Sequence, residues 1–108
     1  MEPNKNPNYF EGTLQLRNPN EECLNFIRNQ FKNNQRAWIA KEEYHKTGID
    51  YYISSNKFLL KLGKLLKKSF KGELTISRRI FTQHKLTSKN VYRVTVLFRL
   101  KAQERSDL

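Results

Sequence analysis

Alternation with period two opens the ordered part of the chain. In YFEGTLQLRN, residues 9–18, Phe10, Leu14 and Leu16 fall on one side and Thr13, Gln15 and Arg17 on the other. That predicts a half-buried strand. In NPNEECLNFIRNQFKNN, residues 18–34, Leu24, Ile27 and Phe31 recur at helical spacing. Asn18 or Asn20 offers the N-cap, Pro19 suits a first turn, and Glu21 and Glu22 favour the positive helix start. RAWIAKEEYHKTGIDYYIS, residues 36–54, reads as two strands joined near His45–Gly48, with Gly48 suited to a turn of positive φ. In the second of them Ile49, Tyr51 and Ile53 share one face, Asp50 and Tyr52 the other.

A second helix is predicted after Ser54, Ser55 or Asn56, each able to cap it, with Gly72 as its stop. ELTISRRIF and NVYRVTVLFRL then read as strands around a polar loop, TQHKLTSK. In the last strand Tyr92, Val94, Val96, Phe98 and Leu100 form an inward row, and Arg93, Thr95 and Arg99 an outward one. The predicted order is β-α-β-β-α-β-β. Its first six elements are those of the ferredoxin-like split βαβ layout, an α+β sheet with two helices on one face and the final hairpin as an extension. Residues 9–100 are expected to form a single domain, behind a lead-in at 1–8 and ahead of a frayed tail at 101–108.

The second helix carries the most unusual chemistry. At about 100° per residue, Lys57, Lys61, Lys64 and Lys68 fall together, with Lys67 and Lys71 extending the arc. Phe58, Leu59, Leu62, Leu65, Leu66 and Phe70 take the opposite arc, and Leu60 alone lies off the pattern. The segment holds no acid, so its lysines repel one another by a few tenths of a kcal/mol per neighbouring pair. A polyanion relieves that repulsion and gains affinity from counter-ion release. A solvated face without a partner is the plain alternative. A membrane-surface helix is the third reading, opposed by the flanking strands that give its apolar arc a sheet to cover.

Composition agrees with a polyanion partner. The 108 residues carry 21 basic and 10 acidic side chains, a formal net charge of +11. Hydrophobic content is low at 37%, yet 12% aromatic content is high for a disordered chain. Cys23 is the one cysteine, which excludes an internal disulfide and a multi-cysteine zinc site. No signal-peptide layout or membrane-length apolar run is visible, and a cytoplasmic location is expected.

A second basic surface is expected on the open sheet face, where Arg79 joins Gln15, Arg17, Arg93 and Arg99. Tyr52 and Phe81 are candidates there for stacking on exposed bases, with surface packing the simpler role. His45 and His84 read as exposed loop residues, and with Cys23 they make a poor metal set. Asp50, Glu42 and Glu43 show no partner residues that would form a catalytic group, and no phosphate-cradling glycine loop is present. The chain is therefore expected to be no enzyme and to need no cofactor.

Three stretches together resemble one family: YFEGTLQLRNP at 9–19, GIDYYISSNKFLLKLGKLL at 48–66 and TSKNVYRVTVLFRL at 87–100. In order and spacing they are similar to the central part of the archaeal members of the 60S ribosomal export adaptor family, nonsense-mediated mRNA decay protein three. The resemblance implies a central α+β domain and a role in late assembly of the large ribosomal subunit, on whose intersubunit side the family binds. It also implies a departure. The family's zinc modules carry several C-x-x-C pairs, and Cys23 alone cannot supply one. The chain is thus expected to be an excised central domain or a minimal stand-alone relative, and the departure bears more on the family's export role than on binding at the ribosome.

These readings combine into a non-enzymatic RNA- or ribonucleoprotein-binding module of the large ribosomal subunit. Lys57, Lys61, Lys64, Lys67, Lys68 and Lys71, with Arg79, Arg93 and Arg99, would contact phosphates of ribosomal RNA. The alternative is a protein-docking domain for another assembly factor.

Overall fold

The computed structural model describes residues 6–33, 36–84 and 89–101, with side chains described outside 81–91. Strand β1 (Gly12–Arg17) leads into helix α1 (Glu21–Lys32), then strands β2 (Ile39–His45) and β3 (Gly48–Ile53), helix α2 (Asn56–Ser69), and the long strands β4 (Gly72–His84) and β5 (Lys89–Leu100). The element order is the predicted one. Asn20 caps α1 by accepting from the Cys23 N–H at 2.8 Å, and Ser55 caps α2 by accepting from the Phe58 N–H at 3.2 Å. Most of residues 1–8 and 101–108 lie outside the described residues.

The five strands form one mixed sheet in the order β2-β3-β1-β5-β4. The β2-β3-β1 part is antiparallel, as the split βαβ layout requires. The other half departs from it. A ferredoxin-like sheet would seat β4 antiparallel against β1. Here β5 takes that place and runs parallel to β1, from Gly12↔Val94 to Arg17↔Arg99, while β4 pairs only with β5 and forms the edge. Burial explains the exchange. Val94, Val96, Phe98 and Leu100 of β5 are all buried, whereas on β4 Leu74 is half-buried and Ile76 exposed. The more apolar strand takes the centre. Adjacent arginines at 78 and 79 suit an edge, where charge discourages pairing with another chain.

One core lies between the sheet and both helices. Leu14 and Leu16, Tyr51 and Ile53, and Val96 and Phe98 meet Cys23 and Ile27 of α1 and Leu59, Leu62 and Leu66 of α2. Phe26 meets Phe70 edge-on at 5.4 Å, and Phe31 tilts against Phe58 at 4.8 Å, joining the helices across the core rim. Gly63 lets α2 approach the sheet, since a Cβ there would lie 2.9 Å from a Val96 methyl.

Four local expectations need correction. Gly48 does not adopt a positive φ; Asn18 does, at 52°. Gly48 is required for a different reason, because a Cβ on it would lie 1.8 Å from the Leu16 carbonyl oxygen. Gly72 does not end α2, which is capped by Phe70; it opens β4. Of the polar segment expected as a loop, the described residues Thr82, Gln83, His84 and Lys89 are strand, with Thr82↔Val91, Gln83↔Asn90 and His84↔Lys89 continuing the hairpin beyond a bulge at Ile80/Thr82; residues 85–88 lie outside the described residues. Phe10 precedes β1 and lies against Tyr52 at 4.9 Å rather than in the inward row with Leu14 and Leu16.

Candidate nucleic-acid interface

Helix α2 turns its lysines outward because the sheet takes its leucines. Phe58, Leu59, Leu62 and Leu66 are buried; Lys57, Lys61, Lys64, Lys67 and Lys68 are exposed, as is Lys71 just beyond. The helix contains no acidic residue, so no carboxylate of its own neutralises this face. A shallow depression of about 420 Å³ runs along it, lined by Lys57, Leu60, Lys61, Lys64, Leu65 and Lys68. Leu60, off the apolar arc in sequence, is half-buried here beside Leu65. The result is four ammonium groups around two aliphatic side chains, suited to phosphates with their ribose between them. Lys67 differs from the rest. Its Nζ donates to the Gly72 carbonyl at 2.8 Å and latches the end of α2 to the start of β4. It is tied to backbone, so its charge is less available to a ligand than those of Lys61, Lys64 and Lys68.

The arginines lie on the opposite face of the sheet. Register sets Arg79 across from Arg93, and Arg99 between Arg17 and Glu73, all on the face that the helices leave open. Arg93 lies over the Phe10 ring at 4.3 Å. Arg79 and Arg99 are exposed. Arg17 is taken up by Asp50, with its Nη1 donating to Oδ1 at 2.8 Å and the Leu16 carbonyl accepting a second bond at 3.1 Å. The other Asp50 oxygen meets His45 Nε2 at 3.0 Å. Asp50 therefore has two partners that spacing along the chain does not reveal, and His45 is a strand residue rather than a loop one. Strand pairing supplies the proximity: Gly48 lies opposite both Arg17 and His45, two residues from Asp50.

Tyr52 is also engaged. Its hydroxyl donates to Glu43 Oε1 at 2.6 Å, Phe10 meets its ring edge-on, and Lys41 Nζ lies 5.8 Å from the ring centroid. The hydrogen bond holds the Glu43 carboxyl below its usual range and raises the Tyr52 phenol above its own. A ring held by these neighbours is poorly placed to receive a base. The side chains of Phe81 and His84 lie outside the described residues. The two cationic surfaces, lysine and arginine, are therefore separated by the thickness of the sheet.

Surface and fold together define a small, strongly basic α+β domain with a cationic helix over one sheet face. Residues 9–100 match the family model described as NMD3, second domain, and the chain belongs to the NMD3 family. The matched span runs from Tyr9 to the end of β5, the same extent over which the three stretches resemble the family. Membership points to a ribosome-associated role in general. No curated protein matches the chain. No helix among the described residues is long and apolar enough to cross a membrane.

Proposed function

We propose that this domain is a non-enzymatic RNA-binding module of the large ribosomal subunit, acting in its late assembly. The observation that carries this reading is the outward lysine face of α2, which no acid of the helix interrupts. Lys57, Lys61, Lys64 and Lys68 position the domain on phosphates, with Lys71 at the margin. Arg79, Arg93 and Arg99 form a second and weaker contact surface. Lysine contacts to phosphate fix position without reading sequence, so specificity comes from RNA shape and from neighbouring proteins. A cytoplasmic setting belongs to the same proposal.

The test is co-sedimentation with separated large and small ribosomal subunits across a salt series, beside the variant Lys61→Glu/Lys64→Glu/Lys68→Glu. The expected result is selective pelleting with large subunits, lost in the variant. Its log affinity should fall with log salt by about 0.7 to 0.9 per phosphate contact. Equal pelleting with both subunits would reduce the reading to general polyanion binding.

One observation favours a second reading, docking to another assembly factor. Strand β2 is an open sheet edge and carries Tyr44 with 68% of its surface exposed. On that reading the lysine variant pellets as the parent does, and salt has little effect.

A further inference from the structure

The β4–β5 hairpin outruns the helix that covers it. Thirteen residues of β4 extend about 43 Å at 3.3 Å each, against about 21 Å for the fourteen residues of α2. The inward row of β5 therefore continues past the covered region. Val94 is buried, but Tyr92, two residues nearer the hairpin end, is 44% exposed. Its cross-strand partner Ile80 is 56% exposed. Arg78, opposite Val94, is on the same face and also exposed.

This aromatic–aliphatic pair adjoins the start of the lysine face. Asn56 Nδ2 donates to the Tyr92 carbonyl at 3.0 Å, fixing the first residue of α2 to the strand residue that carries the ring. Lys57 follows directly and lines the depression that runs along α2. The one acid of the hairpin strands, Glu73, is at the far end of β4 and on the opposite face. Glu11, beside the α2 start, accepts from the Asn56 N–H at 2.8 Å and from the Tyr9 hydroxyl at 2.6 Å.

We propose that Tyr92 and Ile80 form a stacking platform for an unpaired base of single-stranded RNA, whose backbone then follows Arg78 and Lys57 onto the lysine face of α2. The proposal rests on the RNA-binding reading above and names the form of RNA that site takes. An aromatic ring beside cationic side chains suits a nucleotide, which brings a flat apolar base and an anionic phosphate about one residue apart. A duplex cannot use the ring, because its base faces are already stacked; a splayed base can. Charge complementarity selects this occupant over a second copy of the chain, since two surfaces of a molecule with net charge +11 repel.

The test compares binding of a fluorescein-labelled 12-nucleotide oligouridylate with that of a 12-base-pair RNA duplex, by anisotropy at several salt concentrations. The proteins are the parent, Tyr92→Thr, Tyr92→Phe and the triple Lys→Glu variant. Thr keeps strand propensity while removing the ring, and an unchanged thermal midpoint shows that the fold is intact. The expected result is a roughly tenfold loss of single-strand affinity in Tyr92→Thr at unchanged salt slope, little change for the duplex, and parental binding in Tyr92→Phe. Unchanged oligouridylate binding in Tyr92→Thr, with loss in the triple variant, overturns the platform and leaves the RNA-binding reading standing. The same unchanged RNA binding with weakened pelleting on large subunits also overturns it, and assigns the patch to a protein surface. Failure of the parent to bind either RNA at low salt overturns both.

Discussion

Gly48 shows how a single residue can be right for a reason other than the expected one. A glycine between two strand patterns suggests a turn with positive φ. The structure instead places Gly48 inside β3, where its missing side chain lets the Leu16 carbonyl come within 1.8 Å of the position a Cβ would take. The obstacle is backbone, which cannot rotate aside. Gly48→Ala is therefore expected to destabilise the domain by about 3 kcal/mol, the upper part of the range for overpacking, measured from the urea midpoint. The Arg17–Asp50–His45 group was equally hidden. Arg17 is 33 residues from Asp50, and His45, though only five away, reaches it across the β2–β3 hairpin, so the pairing of β1, β2 and β3 is what brings the three together. Side-chain alternation says which face a residue occupies, not which strand lies beside it. That is also why Tyr52 could be assigned to the open face while its attachment to Glu43 and Phe10 could not be foreseen.

At the scale of the element, α2 was the most legible. Its apolar arc and its lysine stripe follow from 3.6-residue spacing, a period that contacts elsewhere do not alter, whereas the cap, Ser55, was one of three residues the sequence offered. What spacing could not show was the withdrawal of Lys67 to the Gly72 carbonyl, which depends on where β4 begins. The stripe carries a cost that a substitution can expose. Lys64 stands three residues after Lys61, three before Lys67 and four before Lys68. Lys64→Glu replaces three repulsions with three attractions and is expected to raise stability by about 1 kcal/mol. The same change removes a phosphate contact and introduces a repulsion. RNA affinity should fall as the thermal midpoint rises, and that opposition of sign is the measurement to make on one protein sample. A merely solvated helix face would show the gain alone. The long hairpin was less legible than α2, because the polar residues 82–84 read as loop until their partners across the strand are known.

For the whole molecule, the single core makes stability sensitive to alkaline pH in a defined direction. Burial pushes the Cys23 thiol from 9.0 up to about 11. Burial pushes the Tyr51 phenol from 10.0 up to about 12, helped by the charge of Glu42. The Tyr51 hydroxyl is buried without a hydrogen-bond partner among the described residues. Both groups are neutral acids in the folded protein, and the unfolded chain releases their protons first. Their contribution is fully present below about pH 9 and is lost progressively as pH rises toward about 12. Tyr51→Phe removes the phenol from this balance. The stability of the parent relative to Tyr51→Phe is expected to be constant up to about pH 9 and to decline above it, read from urea midpoints at matched pH. The class and order of elements were legible in the sequence; the neighbour of β1 was not, because β4 and β5 are both alternating and only their relative burial selects the central one.

The place of β5 between β1 and β4 sets a timetable for the chain as it is made. Strand β1 emerges early, yet one of its two flanks stays open until residues 94–99 have been synthesised. Strand β4 emerges before β5 but touches the sheet only through it, so it must wait for its later neighbour. A pairing that joins the beginning of the domain to its end is slow to form, because most of the chain must be gathered first. The sheet is thus completed by its last strand, and during translation the domain passes from a three-stranded β2-β3-β1 sheet to the full five-stranded one over the final dozen residues of its fold.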